Sequence, residues 1–134
     1  SCSESFGMSG PEWLIDTNVV IGLLKGHEPA VRLAEDVQLD LNRSAVSQIT
    51  RMELLGFPLL AEAEAVQITN FLACCQVHLL DEQIEAQAIQ LRRLSGLKLP
   101  DAIIAATSIV KNLELLTLDS DLLDRTLKYR GQTL

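Results

Sequence analysis

The chain has 134 residues and a formal charge of −7, with 48% hydrophobic but only 4% aromatic side chains. That length suits one domain with its own core, and a core of Leu, Ile, Val and Ala favours helices packed on a sheet over a sandwich. The net charge argues against a nucleic-acid partner at first sight, and no apolar run reaches the ~18 residues of a membrane span.

The first predicted element is the short apolar strand WLI, residues 13–15, followed at once by Asp16 and by a helix over VVIGLL that Thr17 or Asn18 can cap. PAVRLAEDV, residues 29–37, opens with proline and sets Ala30, Leu33, Ala34 and Val37 on one face, which predicts a second helix. RSAVS, residues 43–47, predicts a buried strand whose last residue, Ser47, caps the helix ITRMELLG; Gly56 and Pro58 stop that helix. Residues 61–73 predict a helix with its apolar stripe at Ala65, Ile68, Phe71 and Leu72.

QVHLL, residues 76–80, predicts a third strand, and DEQIEAQAIQLRRLSG a long helix with acids first, arginines last and glycine after, the order the helix dipole prefers. PDAIIAATSIVKN predicts the next helix, LELLT (113–117) a fourth strand, and LDSDLLDR the start of a last helix. Strands that alternate with helices, without hairpin signals, predict a mainly parallel sheet. Residues 1–134 are read as a single domain; Met8, just ahead of the first strand, marks residues 1–7 as a candidate expression remnant.

Cys2, Cys74 and Cys75 give neither an even framework nor a C-x-x-C spacing, so a reducing compartment is expected, and the polar start SCSESFGMSGPE has no hydrophobic signal segment. The expected location is the cytoplasm. His27 and His78 have no ligand partner at a useful spacing, and Trp13 and Phe71 read as core or interface.

Charge is unevenly spread. Residues 1–91 hold 4 Lys/Arg against 13 Asp/Glu, whereas residues 92–134 hold 7 against 5. The second segment therefore offers Arg92, Arg93, Lys98, Lys111, Arg125, Lys128 and Arg130 to phosphates.

Ligands of open parallel sheets bind beyond the carboxyl ends of the strands, and the acids are predicted there. Asp16 ends the first strand, Asp119 lies two residues past the fourth, Asp101 starts a helix, and Glu53 lies six residues after Ser47. Taken alone, Asp16 and Asp119 could be helix caps, Asp101 an acid placed for the helix dipole and Glu53 an ordinary helix former, and Ser47 and Thr50 are credible caps whatever the function. Four acids sharing a pocket would repel one another unless a cation holds them ionised, and an oxygen-only set suits Mg²⁺ or Mn²⁺. Such an ion supports phosphodiester hydrolysis.

LIDTNVVI, SQITRMELLG, LPDAIIAATSI and LLTLDSDL resemble, in order and spacing, the four signature segments of PIN-domain ribonucleases, and among these the VapC-like toxins of type II toxin–antitoxin pairs. The resemblance runs over about residues 13–122. It implies a PIN-like three-layer α/β/α fold with a mainly parallel central sheet, a homodimer, Mg²⁺- or Mn²⁺-dependent cleavage of RNA, and a cognate antitoxin. By it Asp16, Glu53, Asp101 and Asp119 are the acidic quartet and Asp121 an accessory metal ligand. Thr17, Asn18, Ser47, Thr50 and Thr117 orient them, and Arg92, Arg93 and Lys98 are the candidate RNA-binding residues. Leu122 stands where many members carry an aromatic residue, and the chain is more acidic than RNA-cleaving members often are.

Three other readings fit less well. A phospho-receiver domain needs paired acids after its first strand and a strand-terminal lysine; this chain has the lone Asp16, and its lysines lie on helices. A haloacid-dehalogenase-type phosphatase needs D-x-D where this chain has DTN. A PIN scaffold that binds RNA or protein without cutting gains nothing from four clustered acids.

Overall fold

The computed structural model describes residues 10–133; the readings made of residues 1–7 and of Cys2 lie outside the described residues. Four parallel strands form the sheet: β1 (Trp13–Ile15), β2 (Ser44–Ser47), β3 (Gln76–His78) and β4 (Glu114–Leu116), in the order β3-β2-β1-β4. The chain steps outward from β1 through β2 to β3 and then returns to the other side of β1, so the order reverses between β1 and β4.

Among the described residues seven α-helices connect and flank the strands: α1 (Thr17–Leu24), α2 (Glu28–Asp36), α3 (Gln48–Leu55), α4 (Glu62–Ala73), α5 (Glu82–Ser95), α6 (Leu99–Val110) and α7 (Ser120–Thr133). Alternation along the strands sorts the core into two layers. Leu14, Ala45 and Leu115 face one side with Ile84, Leu91, Ile104, Leu122 and Tyr129 of α5, α6 and α7. Ile15, Val46 and Leu116 face the other with Val19, Val20, Leu54, Ile68, Phe71 and Leu72 of α1, α3 and α4. Each large aliphatic side chain with no exposed surface, such as Leu14, Ile15, Ile84 and Leu91, stabilises the fold by about 1.5–3 kcal/mol.

The predicted elements are present, with shifts at their ends. Asp16, rather than Thr17 or Asn18, caps α1. Arg43 ends a single 3-10 turn (Leu41–Arg43) instead of opening β2, and β3 stops at His78, leaving Leu79 and Leu80 exposed. Gly96 takes φ of 69° at the end of α5, the left-handed conformation that glycine tolerates there. Cys75 is half-buried, and burial pushes its thiol up to about 12. Among the described residues no helix is long and apolar enough to cross a membrane.

Candidate active site

Because all four strands are parallel, their carboxyl ends share one edge, and the order reversal leaves a crevice there between β1 and β4. Asp16 follows β1 into this crevice and is only 4% exposed. Its backbone N–H donates to the Leu116 carbonyl at 2.9 Å, which ties the two strand ends together. Its carboxylate is held at both oxygens: Oδ1 accepts the Thr17 N–H at 2.7 Å, and Oδ2 accepts the Thr117 hydroxyl at 2.7 Å.

Thr117 is the hub of this half of the site. Besides donating to Asp16, its hydroxyl accepts the Asp119 N–H at 3.0 Å and the Asn18 side-chain amide at 3.4 Å. Asn18 completes the link by accepting the Leu118 N–H at 3.1 Å on Oδ1. Asp119 in turn caps α7, its Oδ1 accepting the Leu122 N–H at 3.0 Å.

The other half is built on α3. The Thr17 hydroxyl donates to Glu53 Oε1 at 2.7 Å and lies 2.9 Å from the fully buried Thr50 hydroxyl. Since Thr17 has one hydroxyl proton and gives it to Glu53, Thr50 supplies the proton between the two threonines. Ser47 uses its hydroxyl to accept the Ile49 N–H at 3.2 Å and so caps α3.

Asp101 enters from the first turn of α6, which Pro100 opens. Unlike the other three acids, its carboxylate has no hydrogen-bond partner among the described residues. Burial raises its pKa first, and repulsion from Asp119 and Glu53 adds to this, while Lys98 opposes it. Burial also raises Asp16; its bonds from Thr117 and Thr17 pull the other way, and Asp101 and Glu53 push it further up. The four acids from distant segments thus feel one another electrostatically across the same crevice.

Asp121 is turned elsewhere: it pairs with Arg125 one helical turn on, at 3.1 Å. Arg92 donates from Nε to the Leu97 carbonyl at 3.3 Å, bracing the loop before α6, while Arg93 and Lys98 are exposed. Among the described residues no three carboxylate, imidazole or thiol groups stand arranged to hold a metal ion. The donor set nonetheless fits a hard divalent cation, because it consists of carboxylate and hydroxyl oxygens and includes the unpartnered Asp101. What the sequence did not reveal is the sharing of one hydroxyl, that of Thr117, among Asp16, Asn18 and Asp119; the only trace was its position two residues before Asp119.

Fold and site together define a parallel α/β domain with an oxygen-rich acidic crevice at the switch point of its sheet. The chain belongs to the PIN domain family, which matches residues 13–127. It is similar to a toxin–antitoxin complex from Klebsiella pneumoniae at 31% identity, covering 81% of this chain and 88% of that one, with a TM-score of 0.69. It is also similar to FitAcB from Neisseria gonorrhoeae at 25% identity, covering 85% and 92%, with a TM-score of 0.70. DNA-bound VapBC from Salmonella typhimurium shares the fold at 24% identity, covering 77% and 83%, with a TM-score of 0.65. No protein of curated function matches.

Proposed function

We propose that this chain is a Mg²⁺- or Mn²⁺-dependent endoribonuclease and the toxin of a toxin–antitoxin pair, acting in the cytoplasm. The observation that carries the reading is the gathering of Asp16, Glu53, Asp101 and Asp119 at the switch-point crevice, with Asp16 and Asp101 both raised in pKa. Carboxylates that burial and mutual repulsion disfavour as anions are an expense unless a cation is meant to join them.

Asp16, Glu53, Asp101 and Asp119 would hold that cation. When bound it supplies positive charge against a phosphodiester and lowers the pKa of water. The chain's own groups do the positioning. Thr117 and the Thr17 N–H fix the Asp16 carboxylate, the Thr50 and Thr17 hydroxyls fix Glu53, and Asp101 keeps both oxygens open to a ligand. Lys98, whose charge acts on Asp101, would meet phosphates along the RNA, and the exposed Arg93 would join it. Asp121, occupied by Arg125, contributes least to this set.

An antitoxin partner is supported by the Klebsiella neighbour being a toxin–antitoxin complex and by an apolar groove between α1 and α4, lined by Ile21, Leu24, Phe57, Leu60 and Ile68. Such a groove suits the apolar face of a helix. A homodimer is supported by the exposed Met52 and Leu55 of α3 and by Leu79 and Leu80, which a hydrogen bond from the Leu80 N–H to Gln48 ties to α3.

The test is cleavage of RNA by the purified chain with Mg²⁺, with Mn²⁺ and with a chelator, beside Asp16→Asn and Asp101→Asn. Cleavage is expected only with metal and should fall by at least about 100-fold in both variants. Cleavage that ignores the chelator, or both substitutions, would assign the activity to another site. A folded wild type that binds RNA but never cuts it would favour the scaffold reading.

A further inference from the structure

A second concavity adjoins the acidic crevice. On the β4 side of the crevice, an open cleft of about 560 Å³ lies between α2 and the segment after β4, walled by Glu28, Arg32, Leu33 and Asp36 on one side and by Thr117 and Leu118 on the other. Thr117 joins the cleft to the acidic site, since it lines the cleft and its hydroxyl holds Asp16. The Leu118 backbone is anchored by Asn18, so the far wall is fixed relative to the carboxylates.

The charges in the cleft are peculiar. Arg32 is occupied by Glu28 one turn away, leaving the Asp36 carboxylate in no ion pair among the described residues. Asp36 also sits in the last turn of α2, where the helix dipole disfavours an acid and no basic residue accompanies it. Asp36 is exposed, so its carboxylate is open to a ligand seated in the cleft. An uncompensated carboxylate repels a phosphate and attracts an N–H edge, while Leu33 and Leu118 supply apolar surface against which a flat ring can lie.

We propose that this cleft reads a guanine base of the RNA next to the bond that is cut, with Asp36 as the specificity-determining residue. The proposal rests on the ribonuclease reading of the neighbouring carboxylates. The two oxygens of a carboxylate match two adjacent donors, and guanine alone offers these on its Watson–Crick edge, at N1–H and N2–H. Adenine and cytosine each place an acceptor nitrogen beside their amino group, which a carboxylate would repel, and uracil sets one N–H between two carbonyls. A base seated between Leu33 and Leu118 would leave its own phosphate facing the acids.

Inosine lacks only the N2 amino group, so a guanosine-to-inosine exchange isolates the second hydrogen bond. The experiment compares two sets of short single-stranded RNAs, identical but for G or I at each position around the cut, using wild type, Asp36→Asn and Glu35→Gln with Mn²⁺. Wild type should prefer G over I about tenfold in kcat/KM at one fixed position. That ratio should collapse toward one in Asp36→Asn and persist in Glu35→Gln, whose residue lies beside Asp36 in sequence but does not line the cleft. A merely structural role for Asp36 would slow both RNAs alike and leave the ratio intact.

Equal cleavage of G and I by wild type would overturn the proposal while the ribonuclease reading stood. So would a ratio that survives in Asp36→Asn. Absence of metal-dependent cleavage of every RNA would overturn both readings together.

Discussion

At the scale of single residues, Asp101 and Asp16 show how differently two acids of one crevice are supported. Asp16 accepts two hydrogen bonds, so an asparagine there would turn an amide toward the Thr117 hydroxyl and lose the arrangement that orients it. Asp101 accepts none, so Asp101→Asn removes charge without removing a bond. Its raised pKa means that the folded protein holds the proton more tightly than the unfolded chain, whose ordinary value is 3.8. Stability from the protonated form is therefore fully present below 3.8 and is lost as pH rises through the folded value. In metal-free solution Asp101→Asn should melt above wild type at pH 7, and the gap should close below pH 3.8. Adding Mn²⁺ should reverse the order at neutral pH, because wild type gains a ligand that the variant holds less well. Scanning fluorimetry across pH reads all three; a variant that melts well below wild type without metal would make Asp101 a structural acid.

At the scale of elements, α1 must start at the end of β1 and still leave room for α2, and Gly22 is what permits it. A Cβ added there would stand 2.5 Å from the Ala30 Cβ of α2. Elsewhere in a helix, glycine to alanine gains about 0.5–1 kcal/mol; here overpacking at about 1–3 kcal/mol wins. Gly22→Ala should therefore lower the urea midpoint, and an unchanged or higher midpoint would show that α1 and α2 can separate at little cost. The same junction shows what a sequence can carry. The apolar runs WLI and SAVS and the periodic stripe of α4 were legible because burial selects those side chains directly. For the first cap the sequence offered Thr17 and Asn18 as well as Asp16, because a capping bond to Asp16 and an acid in a crevice look alike until the second bond, from Thr117 a hundred residues on, is known. Local pattern likewise missed the 3-10 turn before β2, whose cap, Asp40, accepts the Asn42 N–H at 3.0 Å, and it overextended β3, where Leu79 and Leu80 are apolar but face outward. Within the site, four acids were legible from their placement near strand ends and from family resemblance. The engagement of Asp121 by Arg125 was not, since an i, i+4 pair competes with any distant role that sequence suggests.

At the scale of the whole molecule, the charge of −7 and the proposed polyanionic substrate are in tension, and the distribution of charge relieves it. The acids of residues 1–91 dominate the net charge, yet the Lys98 charge acts directly on Asp101, and Lys98 and Arg93 are both exposed and in no ion pair among the described residues. Arg92 is spent on the Leu97 carbonyl, and Arg125 on Asp121, so neither is as available to a phosphate. RNA binding that rests on two phosphate contacts should weaken with salt only gently, with a log–log slope of about −1.4, taking ~0.7 per contact for a single strand. Fluorescence anisotropy of a labelled RNA with the cleavage-impaired Asp101→Asn variant, from low to moderate KCl, measures that slope. Lys98→Ala should bring it to about −0.7 and lower affinity for every sequence alike, whereas Arg125→Ala should leave it nearly unchanged. A slope several times steeper would mean that RNA is bound over a much wider cationic face, extending to Lys128 and Arg130, than the mouth of the acidic crevice provides.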